Sequence, residues 1–315
     1  MTSFSRSGTF YLLFKLRNVV CCNLMNCVRA NSAASRCWTV SARHRAGGGT
    51  TRSALNTRLT TMRYALLSDV HANLHSLDAV LADIETRGDT LATYHLGDLV
   101  GYSSNPNEVV ARLAERRISG IAGNYDSTVA TDYKHCGCKS ETPRQEELAH
   151  ISYEYTRRAV TPDTKRILGA LPFSMDIRPH GGHASGPRLV LVHGTPTLNT
   201  LYWTEDRNDA FCLKMAASVG LKAGDVIAFG HTHKPWHRAV DGIHFINTGS
   251  VGRPKDGNWQ AGYVRLTFAD AAPQVEFVRV PYDVEGAAQG VLAAGLPGEF
   301  AEFLRVGGSS ARAAN

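Results

Sequence analysis

The chain has 315 residues, 43% hydrophobic and 20% charged, a globular composition that excludes a collagen-like, low-complexity or disulfide-stapled protein. Its net charge of +6 is unevenly placed: residues 1–63 hold ten Lys or Arg and no acid, leaving 24 basic against 28 acidic residues beyond them. The body is therefore acidic, which removes the basic-protein argument for nucleic-acid binding and suits a metal site.

The acid-free extension, residues 1–61, is rich in Arg, Ser and Thr, the composition of an organellar transit peptide. Its apolar stretches, 9–14 and 19–25, are too short to span a bilayer. We expect the working chain to begin at Met62 in the cytoplasm, because Arg63-Tyr64-Ala65-Leu66-Leu67 opens a strand at once. A genuine transit peptide, and an organelle, is the alternative. Seven irregularly spaced cysteines, three of them in the body, read as thiols of a reducing compartment. Cys136-Gly137-Cys138 reads as a polar loop, since no second pair or neighbouring His completes a metal site.

In the body, residues 64–68 read as a buried strand. A helix follows, with Leu74, Leu77, Val80, Leu81 and Ile84 on one face. Residues 91–96 and 118–122 read as strands, separated by a helix over 108–117 that Pro106 introduces. A polar loop over 131–145 precedes helices at 146–158 and 163–170. Beyond Pro172 the texture turns to short strands at 189–192, 226–229, 243–247, 263–268 and 274–280, with one helix near 206–219. A β-α-β half followed by a strand-rich half predicts two packed sheets flanked by helices, spanning residues 62–306, with a frayed tail at 307–315.

The chemistry sits where strands end. These ends are Ser68-Asp69-Val70-His71, Leu96-Gly97-Asp98, Gly123-Asn124-Tyr125-Asp126, His193-Gly194 and Gly230-His231-Thr232-His233. Ligand sites of α/β sheets lie outside the carboxyl ends of strands. Each cluster alone is a weak signal; five of them, each bounded by glycine or an apolar strand, have no structural reason to coincide. Hydrolysis of a phosphate ester needs a strong nucleophile and neutralised phosphoryl oxygens. Two adjacent metal ions provide both. Imidazole with carboxylate oxygen suits Mn, Fe, Zn or Ni better than Ca, and we expect two divalent ions with Mn favoured.

These motifs, in this order, resemble the calcineurin-like metallophosphoesterases, and most nearly their small microbial branch of single-domain phosphodiesterases and phosphatases. The resemblance covers about residues 62–281 and includes the turn Asn247-Thr248-Gly249-Ser250-Val251-Gly252. It implies a four-layer α/β/β/α sandwich of two mixed sheets. It also implies that Asp69, His71 and His233 hold one metal, and Asn124, His193 and His231 the other, with Asp98 bridging and a shared hydroxide as nucleophile. Many relatives carry His where Tyr125 stands here. With Asp98 and Asn124, Tyr125 is expected to be catalytic, as a hydrogen-bond donor but a poor general acid. That predicts a phosphodiesterase acting on nucleotide-like or activated esters.

A protein or dinucleoside-polyphosphate phosphatase is the alternative, and a non-catalytic scaffold of this fold is another. Small phosphate esters are the expected partners, without membrane or nucleic acid. Asn73 and Asp126 are candidates to orient ligands, and His75 is a second candidate acid. Arg253 and Lys255 are candidates to meet substrate phosphate. Residues 195–206, with Tyr202 and Trp203, wall the pocket or pack in the core. His95, His150, His183, His237 and His244 fit no ligand slot.

Overall fold

Alternation along the central strands sends successive side chains to opposite faces. In β1 (Met62–Leu67), Tyr64 and Leu66 enter one buried cluster while Ala65 and Leu67 enter another. In β5 (Leu189–Val192) and β6 (Val226–Phe229), Leu189, Leu191, Val226 and Ala228 join the cluster of Tyr64 and Leu66. Their neighbours Val190, Val192, Ile227 and Phe229 face a third cluster. One apolar layer thus lies between two sheets, and one lies outside each. This is the four-layer α/β/β/α sandwich that the resemblance implied.

The computed structural model describes residues 62–138, 140, 142–179, 186–269 and 272–308. The extension, His183 and the tail beyond Gly308 lie outside them. Five strands form the first sheet in the order β10-β9-β1-β2-β3. Here β1, β2 (Ala92–His95) and β3 (Ser119–Gly120) run parallel, while β9 (Ala261–Phe268) and β10 (Gln274–Val280) close one side antiparallel. The second sheet has the order β4-β5-β6-β8-β7. Its centre, β5, β6 and β8 (Ile243–Asn247), is parallel; β4 (Ser174–Ile177) and β7 (Trp236–Val240) flank it antiparallel.

Helices α1 (Leu74–Arg87), α2 (Pro106–Glu115), α3 (Asn124–Ala130), α4 (Pro143–Ala159) and α5 (Pro162–Gly169) contribute buried residues to the cluster outside the first sheet. So do α7 (Val284–Ala293) and α8 (Gly298–Val306), whereas α6 (Asp209–Ser218) covers the second sheet. Asn73 caps α1, its Oδ1 accepting from the Ser76 amide at 3.1 Å, and Gly88 closes that helix with φ +64°. Among the described residues no helix is long and apolar enough to cross a membrane.

Several elements differ from expectation. The strand expected over 118–122 pairs only at Ser119–Gly120. Strands β4 and β7 carried no expectation: both are sheet edges, partly exposed, and their polar residues blur the apolar signal. The Cys136 and Cys138 sulfurs are paired, where separate thiols were expected; Cys212 is a free, buried thiol.

Candidate metal centre

The strand ends that carry the clusters are bent by the backbone itself. Of the seven candidate ligands, Asp69, His71, Asp98, His231 and His233 have φ between 48° and 65°. Side-chain-bearing residues reach this left-handed region at a cost of about 1 kcal/mol or more each. The loops hold one another there. The Asp69 amide donates to the Gly97 carbonyl at 3.0 Å and the His71 amide to the Asp98 carbonyl at 3.0 Å, while Gly252 donates to the Asp69 carbonyl at 3.0 Å. Two glycines are required by close approach: a Cβ on Gly123 would collide with Asp98 Oδ1, and one on Gly230 with Ser68 Oγ and Asp69 Oδ2.

Nearly every ligand side chain has one polar atom tied to the protein and one left toward the centre. His71 Nδ1 donates to the Val100 carbonyl (3.0 Å), His193 Nδ1 to Leu96 (2.8 Å) and His233 Nδ1 to Arg253 (2.6 Å). In the neutral imidazole that tautomer leaves each Nε2 with a lone pair. Asp69 Oδ2 accepts from Ser68 Oγ at 2.5 Å and from the His231 amide at 3.0 Å, which frees Oδ1. Asp98 Oδ1 accepts from the Tyr125 amide at 2.9 Å, and Asn124 Nδ2 donates to the Cys136 carbonyl at 3.0 Å.

The freed atoms converge. Asp69, His71 and His233 form one group, and Asp98, His193 and His231 another, each with donor atoms within 4.8 Å of one another. Asp98 Oδ2 stands between the groups, 3.7 Å from His71 Nε2 and 3.4 Å from His193 Nε2. Asn124 Oδ1 lies 3.1 Å from His193 Nε2. All seven side chains are buried, and among the described residues Asp69 Oδ1 and His231 Nε2 lack a hydrogen-bond partner. Buried polar atoms left without partners are costly unless something occupies the point they face. The mixed nitrogen and oxygen donors fit divalent Mn, Fe, Zn or Ni.

The charge balance points the same way. Burial would lower the His193 imidazole, yet Asp98 and then Asp69 outweigh it and hold it up at about 10. Burial would likewise raise Asp69, but His233 and His71 hold it well below the usual carboxylate range. Burial and then His193 push His231 down to about 4; burial and then Lys255 push His233 down to about 3. Burial and then Arg253 push the Lys255 ammonium down to about 7. Two buried carboxylates thus draw positive charge onto one imidazole, a service that divalent cations would perform for the whole set.

The remaining candidates divide. Asp126 orients: its Oδ1 accepts from the Leu99 amide and its Oδ2 from the Gly123 amide, both at 2.9 Å, bracing the loops of Asp98 and Asn124. Asn73 serves the helix and the Gly252 carbonyl instead of a ligand. His75 faces Asp283 at 3.6 Å, and His237 meets His244 at 3.0 Å, both away from the ligands. The 195–206 stretch divides: the Tyr202 ring lies 4.2 Å from that of His231, while fully buried Trp203 packs in the core, stacked on Phe229 at 4.3 Å.

Tyr125 presents its amide and its hydroxyl to different neighbours. Its phenol is fully buried, with the hydroxyl 3.4 Å from Ser152 Oγ and the ring edge-on to His71 at 5.6 Å. It packs against Gly101, Tyr102 and Tyr153 on the helical side, while its amide holds Asp98 Oδ1. Ser68 and Tyr102 carried no expectation. Ser68 adjoins Asp69 in the chain, a signal that could have been used; the Tyr102 ring meets His71 at 5.0 Å only through folding.

Residues 62–271, two thirds of the chain, match the calcineurin-like phosphoesterase superfamily domain. The chain is 28% identical over 261 residues to the uncharacterized protein MJ0912 of Methanocaldococcus jannaschii, covering 77% of this chain and 97% of that one. Its fold is similar to a metallophosphoesterase from Sphaerobacter thermophilus, with TM-score 0.60, 26% identity, and 78% and 99% of the two chains covered. It is also similar to the hypothetical protein PH1004 of Pyrococcus horikoshii OT3, with TM-score 0.66, 21% identity, and 79% and 100% covered. The chain belongs to the calcineurin-like phosphoesterase superfamily and is a phosphoester hydrolase.

Proposed function

We propose that the chain is a dinuclear metal-dependent phosphoesterase that prefers diesters or activated, nucleotide-like esters. Asp69, His71 and His233 hold one divalent ion and Asn124, His193 and His231 the other, with Asp98 between them; manganese is the favoured metal. The observation that carries this reading is the convergence of donor atoms whose companion atoms the protein has already engaged. When bound, the ions supply Lewis acidity and an activated water. The chain's own part is positioning. Carbonyls at Val100, Leu96 and Arg253 fix the imidazole tautomers, Asp126 braces two ligand loops, and Tyr202 walls the His231 side.

With the Tyr125 hydroxyl turned into the helical layer, that residue protonates no leaving group. Esters whose leaving oxygen needs no proton are therefore favoured. The test is a panel with Mn(II): bis(4-nitrophenyl) phosphate is expected to be cleaved much faster than an alkyl phosphomonoester. The reverse order overturns the substrate preference, and no turnover of any phosphoester overturns the reading.

A further inference from the structure

Two cations outside the ligand set stand against the same centre. The Arg253 guanidinium lies between two aromatic faces, 3.9 Å from the centroid of Tyr102 and 3.7 Å from that of Phe303 in α8. Tyr102 in turn meets the His71 ring edge-on at 5.0 Å, and the Arg253 carbonyl receives His233 Nδ1 at 2.6 Å. The Lys255 amide donates to the His233 carbonyl at 3.3 Å. Both side chains are half-buried.

Neither cation forms an ion pair with a described residue. Among the described residues no carboxylate lies within 4.0 Å of the Arg253 guanidinium or the Lys255 ammonium. Arginines on the neighbouring strands do find one: Arg265 pairs with Asp89 and Glu276, and Arg279 with Asp256. Two adjacent, partly desolvated like charges are unfavourable unless an anion joins them. The ring faces hold the guanidinium plane without engaging its N–H groups, so its fork of donors stays available for a planar or tetrahedral anion. The loop is also braced for this. Gly257 donates to the Gly307 carbonyl at 2.9 Å, and a Cβ on Gly308 would press on the Pro254 carbonyl at 2.7 Å, so the end of α8 backs the turn that carries both cations.

We propose that Arg253 and Lys255 clamp a second anionic group of the substrate, which is therefore a phosphate ester carrying another phosphoryl or carboxylate group beside the scissile phosphorus. This rests on the phosphoesterase reading of the same centre. A simple diester brings one negative charge, which belongs at the ligand cluster; the two unpaired cations call for more.

The test is calorimetric binding to the metal-loaded full chain of three non-hydrolysable probes: methylphosphonate, phosphonoacetate and methylenediphosphonate. At least one two-headed probe is expected to bind about tenfold tighter than methylphosphonate or better, as charge-assisted bidentate contacts allow. The carboxylate and phosphoryl arms rank the two sources of the second charge. Arg253→Met and Lys255→Met are each expected to shrink that ratio to about twofold, and Arg253→Lys to keep part of it.

Equal affinity for all three probes in the parent chain overturns the clamp. So does a ratio that survives in the folded variants, including the case where all three affinities fall together because the cations meet the scissile group itself. If Arg253→Met fails to fold, Lys255→Met carries the same comparison. A chain that keeps the ratio but turns over no ester defeats the phosphoesterase reading and leaves the anion clamp standing; one that turns over esters without the ratio defeats the clamp alone.

Discussion

The two ends of the first sheet make different surfaces from the same strands. At the carboxyl ends, Asp69, His71, Asp98 and Asn124 meet His193, His231 and His233 from the second sheet, and among the described residues Asp69 Oδ1 and His231 Nε2 find no hydrogen-bond partner. At the opposite end a cavity of about 550 Å³ opens among Leu81, Ile84, Leu91, Tyr94, Arg116 and Ile118. It has room, apolar walls and charge, yet its Arg116 already pairs with Glu85. Space alone does not distinguish the candidate centre from this cavity; polar atoms held in place and facing one another do. Such atoms also stand outside the cluster: among the described residues, buried His95 Nδ1, Ser103 Oγ and Trp236 Nε1 lack a partner too. Convergence is therefore the second condition.

The comparison is most severely tested at the ligands. Asp98→Asn and His231→Ala are each expected to lower kcat on bis(4-nitrophenyl) phosphate by about 10³-fold or more. Activity above a tenth of the parent's would move the chemistry elsewhere. Asp126→Asn should cost about tenfold to a hundredfold, because one amide oxygen cannot replace two carboxylate oxygens that each hold a loop amide. A rate unchanged by this substitution would show that the loops hold themselves.

His95 separates an orphan atom from a ligand. Burial pushes its imidazole down to about 4, while the unfolded chain takes the proton near 6.5. The unfolded state therefore binds more protons between these values. The stability from keeping His95 neutral is complete above pH 6.5 and is lost as the pH falls toward 4, by roughly 3 kcal/mol at most. Urea titrations at pH 7 and 4.5 should show a flatter loss in His95→Leu than in the parent; equal slopes assign the effect to another group. Tyr125→Phe is expected to change kcat less than about threefold, since only a weak contact to Ser152 is removed. A hundredfold loss would restore the phenol as a donor to the substrate. The smallest effect belongs to the opposite end, where exposed Leu91→Ser should leave kcat within about twofold and stability within about 0.5 kcal/mol.

Much of this was legible in residue order. The buried strands β5 and β6 read as unbroken apolar runs because both their faces are covered, and the candidate ligands His193 and His231 follow them closely, as Asp69 follows the apolar end of β1. Edge strands β4 and β7 were not legible, because a half-solvated strand carries charge on one face and loses its contrast. Helices α7 and α8 passed unread, although Phe300 and Leu304 of α8 enter the main core and Phe303 backs Arg253. Nothing near Arg253 in the chain announces that partner.

By itself the sequence determined which residue types end the buried strands and that the pattern is one of two sheets. Apolar periodicity and turn-forming glycines are local properties, set by backbone sterics within a few residues. Only the tertiary structure decided which atom of each ligand faces the centre, that the Tyr125 phenol turns away, and that Tyr102 and Phe303 enclose Arg253. Those outcomes depend on close packing between side chains from distant parts of the chain, where an available volume and an unsatisfied polar atom choose the rotamer.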